Sequence, residues 1–357
     1  MPLIDVKIVR DALDNGKAQR FKDGLDYIRF RSSFRGIERG TIIVGKKIIW
    51  GFPHIKRIFT LQNGLKRNIP SPYVYVEEKI DGFNVRVASI AGQIYAFSRG
   101  GFLDLFATEK VREMHLEKFF KLYSNYILCG EMIGNTPHTS PTKDFDVKFL
   151  VFDIDQGDGN YLPCEEKYSI LKKCDVESVP ALGKFKSDDY VGLGKTALSL
   201  NKSRKEGMVI KSSDRNMVIK YVTPTAGIDD ISKTASMFFD MPIGFYYQRV
   251  LRSSFFIDDF GLDKQKYSEM LGKAFYLGLT SSIEKAKKGI ELDEEFEILI
   301  RDPDIWTDVK KHMGKDVDLE ILWKRQEKGR TRIHFRKLYK KTKKLLSSFA
   351  SGNGVTD

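Results

Sequence analysis

The segment EEKIDGFNVRV, residues 77–87, places Lys79 between two apolar runs of the kind that form β-strands. A lysine amine can attack phosphorus only when it is deprotonated, and neighbouring cations and a metal ion favour that state. Gly82 permits a tight turn just after the lysine. By itself the segment is equally compatible with a surface hairpin that carries a solvated lysine, so the remaining sequence has to decide between the two interpretations.

Short β-branched and aromatic runs, separated by Gly, Asn, Asp and Pro, continue from residue 71 to residue 221. They are YVYVEEK, FNVRVASI, QIYAFSR, YILCGEMI, KFLVFDI, EGMVIK and NMVIKYV. The pattern predicts strands, with helices near residues 108–123 and 168–175. Because the strands do not alternate regularly with helices, we expect an α+β fold and not a doubly wound parallel sheet.

The segments on either side of this block differ from it in composition. Residues 1–65 contain alternating segments punctuated by glycine, which predict a small β-rich N-terminal domain. Residues 225–290 are rich in aromatic residues with helix-like apolar spacing, and residues 291–357 are helix-like and strongly basic. We therefore expect four domains, with the central one spanning residues 66–224 and helical domains following it.

Composition narrows the possible functions. The 357-residue chain has 60 basic and 48 acidic side chains, a net charge of +12, which suits a polyanionic partner but also a merely soluble surface. Its three cysteines form no CxxC pair and its five histidines show no HxxxH or HExxH spacing, so we expect neither a disulfide framework nor zinc chemistry. The sequence shows no signal-peptide pattern and no apolar run long enough to span a bilayer. We interpret it as a cytoplasmic protein.

Further segments follow Lys79 in order, each with residue types suited to nucleotide chemistry. They are FSRGG with Arg99, LCGEMIG with Glu131, FLVFDI with Phe152, KEGMVIK with Glu206, and MVIKYV with Lys220. Arginine and lysine supply fixed positive charge to a triphosphate, glutamates hold Mg²⁺ through water, and an aromatic face stacks on a base. Singly, these residues have plainer interpretations as core, turn carboxylates or an exposed strand end. Their order within one domain-sized block favours the functional interpretation.

The ordered set resembles the motifs of the covalent nucleotidyltransferase superfamily, which comprises DNA ligases, RNA ligases and mRNA capping enzymes. The resemblance implies an adenylation domain of antiparallel sheets, with Lys79 as nucleophile and Lys220 and Arg99 as further catalytic residues. It also implies that Glu131 and Glu206 bind the metal, and that Glu77 accepts from the adenine amino group. The implied nucleotide-binding residues are Glu77, Lys79, Asn84, Arg86, Arg99, Glu131, Phe152, Glu206 and Lys220.

The sequence also discriminates within this superfamily. It turns helical and aromatic after Pro224, where DNA ligases and capping enzymes usually carry an OB-fold. GFPHIKRI, the K-x-D-G-F-N-V-R form around Lys79, and KYVTP instead make nearly the whole chain similar to the archaeal ATP-dependent RNA ligase family. That resemblance implies ATP, Mg²⁺ or Mn²⁺, a homodimer, and sealing of RNA 5′-phosphate and 3′-hydroxyl ends, including circularisation, through lysyl-AMP and RNA-adenylate. A DNA ligase, an mRNA guanylyltransferase and a non-catalytic RNA-binding relative are the alternatives.

Two departures from the usual motifs bear on the site. Many ligases place an arginine five residues after the nucleophile, where this chain has Asn84, and Arg86 follows two positions later. Many also carry two lysines separated by one residue in the last motif, but here the first of these positions is Val218. Lys220 is therefore expected to supply more of the positive charge that contacts the phosphates, and a role for Lys211 is in doubt.

Two segments outside the motifs indicate contacts with other molecules. The aromatic block 238–260 is expected at the dimer interface, with the core of a helical domain as the alternative. Eleven Lys and Arg fall within residues 324–344, and their interleaved aromatics favour binding of RNA phosphates over a solvated helix face. The expected RNA-binding residues are Lys324, Arg325, Arg330, Arg332, Arg336, Lys337, Lys340 and Lys341.

Overall fold

The N-terminal part is a small antiparallel sheet preceded by one helix. The computed structural model describes residues 4–22, 24–313 and 317–354. The first elements are α1 (Val6–Asp14), β1 (Ala18–Phe21), β2 (Tyr27–Phe30), β3 (Ile42–Val44) and β4 (Lys47–Ile49), with the strands in the order β1-β2-β3-β4. Alternate residues of these strands, including Tyr27 and Ile42, pack against Phe97 and Ile127. One face of this sheet is therefore buried against the part of the chain that follows.

Two sheets are formed by residues 56–222, and we call these residues the central domain because every strand within them belongs to one of the two sheets. The expected division of the chain into four domains, with the central one at residues 66–224, stays a prediction. In chain order its elements are β5 (Lys56–Arg57), α2 (Leu61–Asn68), β6 (Tyr73–Lys79), β7 (Phe83–Ile90), β8 (Gln93–Ser98), α3 (Leu105–Arg112), α4 (Glu117–Leu122), β9 (Ile127–Gly134), β10 (Val147–Asp155), α5 (Cys164–Cys174), β11 (Ala181–Lys186), α6 (Tyr190–Lys202), β12 (Gly207–Ser212) and β13 (Val218–Val222). One sheet has the order β10-β9-β7-β8. The other has the order β11-β6-β12-β13-β5, in which β13 and β5 run parallel and the other pairs are antiparallel. The expected α+β class with antiparallel sheets is confirmed.

The turn after Lys79 carries the chain from one central sheet to the other. β6 belongs to the five-stranded sheet and β7 to the four-stranded sheet, so Lys79 lies at their junction. A Cβ atom at Gly82 would lie 2.4 Å from the carbonyl oxygen of Met132. Because this distance is far below van der Waals contact, the close approach of the turn to β9 requires glycine.

Helices follow the central domain, and a second small sheet follows the helices. The elements are α7 (Pro224–Thr234), a 3₁₀ turn (Ala235–Asp240), α8 (Phe245–Asp259), α9 (Lys264–Lys287), β14 (Asp293–Ile300), α10 (Asp304–His312), β15 (Asp318–Glu327), β16 (Arg330–Leu338) and α11 (Lys340–Ala350). None of the helices in the described ranges is long and apolar enough to cross a membrane. We call residues 224–287 the helical segment, and β14 to β16, in the order β14-β16-β15, the C-terminal sheet.

The C-terminal sheet corrects the expectation of helix throughout residues 291–357. Helices α10 and α11 are present, but most of the basic stretch forms the hairpin of β15 and β16. Along β16, Ile333 and Phe335 face the interior, while Arg332 and Arg336 pair with acidic side chains on neighbouring strands. The alternation of period two is that of a strand, and the density of charge concealed it in the sequence.

One hydrophobic core joins the C-terminal sheet to the central domain. Phe296, Ile298, Trp306 and Phe335 belong to the same buried cluster as Val85 and residues of α3 and α4. At its edge, the carboxylate of Glu109 accepts the Arg301 backbone N–H, and Glu113 lies 2.7 Å from the Arg301 guanidinium. Because the core is shared, the C-terminal sheet and the central domain are expected to unfold together.

Truncation of Trp306 tests this shared core. Trp306 is buried, and its ring meets that of Phe335 edge to face at a centroid distance of 4.9 Å. Trp306→Ala is expected to cost about 3–5 kcal/mol of unfolding free energy, in one transition seen by probes in both regions. Trp323→Ala, in the exposed strand β15, is the matched control and should cost below about 1 kcal/mol. Urea unfolding with two separate transitions would show that the sheet is an independent unit.

Candidate active site

A cleft of about 470 Å³ lies at the junction of the two central sheets. It is lined by strand ends and turns that carry the predicted motifs. The predicted residues in its wall are Glu77, Lys79, Asn84, Arg99, Glu131, Phe152 and Lys220. The fold therefore brings together seven residues that are spread over more than 140 positions of the sequence.

The Lys79 amine points at the carboxylate of Glu206. Its Nζ atom donates a hydrogen bond to Glu206 Oε2 at 2.6 Å. Lys79 ends β6 and pairs in register with Gly207, the first residue of β12, so the antiparallel ladder itself sets this proximity. Before the amine can act as a nucleophile, the carboxylate must release it, and a cation that binds Glu206 would favour that release.

Glu131 and Glu206 form a pair of carboxylates with raised pKa values. Burial raises the pKa of Glu131 to about 7; Lys79 opposes this shift, and the nearby charges of Glu206 and Asp81 add to it. Burial also raises the pKa of Glu206, again against the effect of Lys79. Carboxylates whose ionised form is disfavoured in this way are suited to binding a cation.

These two carboxylates fit a magnesium or manganese ion that accompanies a nucleotide. Among the residues that the structure describes, no group of three or more His, Cys, Asp or Glu side chains is arranged to hold a metal. Mg²⁺ in nucleotide sites usually takes one or two carboxylates together with phosphate oxygens and water. The pair Glu131 and Glu206 matches this donor set and not that of an all-protein metal cage.

Two further cations, Lys220 and Arg99, line the cleft. Lys220 lies on β13, and burial together with neighbouring Arg57 and Lys79 lowers its pKa to about 8. Arg99 is exposed at the cleft mouth, with its guanidinium 3.1 Å from His54 Nδ1. The cleft thus offers both cations and carboxylates, as a metal-bound triphosphate requires.

The loop that carries Arg99, residues 99–104, is fixed by the N-terminal sheet. Arg29 Nε donates to the Gly100 carbonyl at 2.5 Å, and its guanidinium lies 3.7 Å from the centre of the Phe102 ring. Gly101 has a φ of +83°, which favours glycine at this point of the turn. The N-terminal sheet therefore contributes to the site by holding the loop of Arg99.

The prediction that Arg86 contacts the nucleotide is wrong. Its side chain is completely buried, and it donates to the carbonyl oxygens of Trp50 at 2.5 Å and of Gly40 and Ser98 at 2.9 Å. These acceptors come from the N-terminal part and from the end of β8. Arg86 therefore links the N-terminal part of the chain to Ser98, which immediately precedes the loop that carries Arg99, and it does not line the cleft.

A buried charge network begins in the cleft wall and continues behind it. Glu77 is 1% exposed, and its Oε1 atom accepts from Lys167 and from the Tyr168 hydroxyl, the latter at 2.6 Å. Lys211 Nζ lies 2.6 Å from Glu77 Oε2, in a close ion contact without hydrogen-bond geometry, and 2.9 Å from Asp153 Oδ1. These internal partners occupy the Glu77 carboxylate. The expected contact of Glu77 with an adenine amino group stays a prediction.

The network contains residues that the sequence did not single out. Arg215 donates to Asp153 Oδ2 at 2.6 Å, and Lys211 and Lys167 both donate to the Phe152 carbonyl. Asp153 could have been noticed as an acidic residue inside the apolar run FLVFDI. The network supports the strand that presents Phe152 to the cleft, where the ring packs edge to face against Phe52 at 5.2 Å.

The predicted RNA-binding residues lie on the C-terminal sheet and the start of α11, and several are already paired. Arg332 contacts Glu297 and Glu327 at 2.5 and 2.8 Å, and Arg336 contacts Glu320. Arg330 pairs with Glu113, and Lys340 pairs with Asp318. Lys337 lies over the ring of Phe296, and burial lowers its pKa to about 8. The exposed cations that remain in the predicted set are Lys324, Arg325 and Lys341.

This pairing corrects the picture of a free basic surface. Ion pairs with nearby carboxylates neutralise half of the predicted residues, so the density of Lys and Arg in the sequence overstates the charge that an RNA would meet. Binding of RNA by the remaining exposed cations stays a prediction.

Comparisons with known proteins agree with this geometry. The family model described as RNA ligase matches residues 72–222, and that described as the C-terminal region of ligase Pab1020 matches residues 233–353. An uncharacterized protein of Methanocaldococcus jannaschii is 30% identical over 344 residues, which cover 90% of this chain and 87% of that protein. The similarity to this archaeal protein thus extends over nearly the whole length of both chains.

Solved structures show the same fold over nearly the whole chain. A candidate ATP-dependent DNA ligase from Aquifex aeolicus has a TM-score of 0.90 at 29% identity, over 98% of this chain and 100% of that one. An archaeal ATP-dependent RNA ligase has a TM-score of 0.89 at 24% identity, over 97% and 96% of the two chains, and this likeness supports the fold alone. From the two family models and the full-length relative together, the chain belongs to an archaeal-type RNA ligase family.

Proposed function

We propose that this protein is an ATP-dependent RNA ligase that forms lysyl-AMP on Lys79. The observation that carries the proposal is the position of the Lys79 amine, 2.6 Å from Glu206 and inside a cleft that also holds Glu131, Lys220 and Arg99. A nucleophile, a carboxylate pair for a metal, and cations for phosphate are the three groups that adenylation needs. Family membership supports the ligase activity, and the geometry of the site supports the mechanism.

The first step is adenylation of the enzyme. The Lys79 amine loses a proton and attacks the α-phosphorus of ATP, so that an N–P bond forms as the bond to pyrophosphate breaks. Lys220 and Arg99 offset the negative charge on the phosphates, and Phe152 offers a face to the base. Glu131 and Glu206 would hold the Mg²⁺ or Mn²⁺ ion, which supplies positive charge to the transferring phosphoryl group.

The next two steps transfer AMP and seal the RNA. An oxygen of the RNA 5′-phosphate attacks the same phosphorus, the N–P bond breaks, and the Lys79 amine takes up a proton as RNA-adenylate forms. A 3′-hydroxyl then loses its proton and attacks the 5′-phosphorus of the RNA, and AMP leaves. When both ends belong to one strand, the product is a circle. Lys79 acts as nucleophile only in the first step, which separates its role from that of the phosphate-binding cations.

A ligase acting on DNA ends is the second candidate, because the Aquifex aeolicus neighbour is described as a DNA ligase. Matched oligonucleotides of one sequence, as RNA and as DNA, test the choice under single-turnover conditions with enzyme in excess. We expect the RNA to be adenylated and joined at least tenfold faster. Equal or faster joining of DNA would assign the protein to DNA ends, and label from GTP instead of ATP would favour an mRNA guanylyltransferase.

The proposal includes a homodimer formed by the helical segment. Much of the aromatic block is internal: Phe238 stacks on Tyr246 at 4.9 Å, and Phe256 is fully buried. Large apolar side chains of α8, α9 and the turn before α8 are nevertheless exposed. They are Ile243, Tyr247, Val250, Phe255, Tyr276, Leu277 and Ile283. Exposed apolar side chains concentrated on one segment are typical of an interface.

Light scattering tests the dimer. We expect wild-type protein at micromolar concentration to have twice the mass of the chain. Tyr276→Glu should shift the mass towards the monomer, because an ionised carboxylate cannot be buried there without a partner. Trp323→Glu, on the exposed strand β15, is the control and should leave the mass unchanged. A monomeric wild-type protein would contradict this part of the proposal.

A further inference from the structure

Arg57 lies next to Lys220 but belongs to none of the residues assigned to the chemistry so far. β5 pairs in parallel with β13, and Arg57 is the partner of Lys220 in that register. Paired residues of neighbouring strands project from the same face of a sheet, about 4.8 Å apart along the hydrogen-bond direction. The Arg57 side chain therefore lies beside that of Lys220, on the edge strand of the sheet, and the nearby Arg57 charge contributes to lowering the pKa of Lys220.

Helix α8 brings two more arginines to the same place. The rings of Phe59 and Phe255 meet at 5.3 Å, which fixes α8 against the chain just after β5. Arg57 lies two residues before Phe59, and Arg252 lies three residues before Phe255 on the helix, so the contact between the two rings brings the two arginines near each other. Burial lowers the pKa of Arg252 to about 10, with neighbouring Arg57 and Arg249 adding to the effect. We call Arg57, Arg249 and Arg252 the arginine cluster.

The arginine cluster has three positive charges but few nearby carboxylates to pair with them. Asp230 lies 2.7 Å from the Arg249 guanidinium but 3.8 Å from that of Arg252. Arg252 is only 7% exposed, and in the part of the chain that the structure describes its Nε atom has no hydrogen-bond partner; the same holds for Nε of Arg57. Glu206 also lies near these arginines, but its carboxylate is hydrogen-bonded to Lys79. Buried N–H groups of a guanidinium without hydrogen-bond partners are costly, and an anion would satisfy them.

We propose that Arg57 and Arg252, together with Lys220, form a binding subsite for a terminal phosphate group. Guanidinium groups bind phosphate oxygens in pairs, and the unpartnered Nε atoms supply such donors. In the proposed ligase two anions carry this group: the pyrophosphate end of ATP, which leaves in the first step, and the 5′-phosphate of RNA, which enters in the second. The existence of the subsite rests on the cluster, and the identity of the anion rests on the proposed function.

Direct binding of pyrophosphate tests the subsite without relying on catalysis. Calorimetry with sodium pyrophosphate and Mg²⁺ is run on wild type, Arg57→Gln and Lys56→Gln. Lys56 is a matched control, since it is the neighbouring cation on β5 and its Nζ atom donates instead to the Asn68 side chain at 2.8 Å. Arg57→Gln should weaken binding at least tenfold, while Lys56→Gln stays within twofold of wild type.

A second titration distinguishes the two anions. The same proteins are titrated with a 5′-phosphorylated RNA and with its 5′-hydroxyl counterpart at one salt concentration. If Arg57→Gln weakens only pyrophosphate, the subsite serves the leaving group; if it removes only the preference for the 5′-phosphate, the subsite serves the RNA end. If Arg57→Gln weakens pyrophosphate binding and also removes the preference for the 5′-phosphate, the same subsite binds the two anions in successive steps. If Arg57→Gln matches Lys56→Gln in both titrations, the subsite does not exist.

Arg252 supplies an independent variant. Because Arg252 is buried, Arg252→Gln is compared with Arg252→Lys, which keeps the charge but loses the fork of donors. We expect both to melt cooperatively and both to bind the anion at least fivefold more weakly. Wild-type binding by a folded Arg252→Lys protein would remove Arg252 from the subsite.

Incubation with labelled ATP distinguishes the subsite from the ligase mechanism. If wild-type protein binds pyrophosphate through Arg57 but forms no covalent AMP, the subsite exists and the ligase mechanism is wrong. If wild-type protein is labelled normally but Arg57→Gln binds both anions as wild type does, the mechanism stands and the subsite does not exist.

Discussion

Lys79→Ala is expected to reduce covalent AMP on the protein to below about 10⁻³ of the wild-type level. The first step forms a bond to the lysine Nζ atom, and no other group replaces an amine placed at the end of β6 against Glu206. Lys79→Arg is expected to give the same result, since a guanidinium stays protonated and is no nucleophile. Denaturing electrophoresis after incubation with α-labelled ATP and Mg²⁺ measures the label.

Joining of pre-adenylated RNA is the control for this prediction. Lys79 is not the nucleophile in the last step, so both variants should still seal RNA-adenylate with a 3′-hydroxyl, within about tenfold of wild type. Lys79→Arg also preserves a positive partner for Glu206, which keeps that buried carboxylate paired. Normal labelling of Lys79→Ala would contradict the mechanism, and loss of both reactions would indicate misfolding.

Asp153→Ala is expected to destabilise the protein by about 3–5 kcal/mol. Asp153 is buried and lies 2.9 Å from Lys211 and 2.6 Å from Arg215, so its removal leaves two cations without this partner inside the central domain. Urea unfolding at neutral pH measures the effect. Glu165→Ala, which removes an exposed carboxylate paired with Lys184, should leave the midpoint nearly unchanged.

The dependence of stability on pH gives a second readout for Asp153. Burial favours its neutral form, but Lys211 and Arg215 outweigh burial and hold the pKa of Asp153 well below its usual value. A carboxylate with a depressed pKa stabilises the fold fully above its unfolded pKa of about 4, and this contribution is lost as the pH falls towards the folded value. Wild type should therefore lose stability between about pH 4 and pH 2 more steeply than Asp153→Ala. If the free energy of unfolding depends on pH in the same way for both proteins, the ionised form of Asp153 does not stabilise the fold.

The central sheets and the cleft could be predicted because their signals are local. Each motif combines an apolar run with one chemically distinctive residue at its end, and the chain's order of Lys79, Glu131 and Lys220 is enough to suggest a common site. Antiparallel pairing then brings those ends together, as in the register of Gly207 with Lys79. Local sequence and generic strand geometry together account for this part of the fold.

What could not be predicted depends on partners that are distant in the sequence. Arg86 follows the nucleophile closely, yet its acceptors are carbonyls of residues 40, 50 and 98, and these make it a structural residue. The basic C-terminal stretch became a hairpin because Ile333 and Phe335 complete a core that the central domain supplies. The arginine cluster joins β5 to α8, segments that lie nearly 200 residues apart.

Covalent attachment of AMP to Lys79 is the step on which the whole proposed reaction depends. The most direct measurement is to incubate wild-type protein with ATP and Mg²⁺, quench the reaction, digest the protein and locate the modification by tandem mass spectrometry. We expect AMP on the peptide that contains Lys79, and we expect the modification to be lost when a 5′-phosphorylated RNA is added before the quench. A protein that joins RNA without any covalent AMP, or that carries AMP on a different residue, would contradict the proposed reaction.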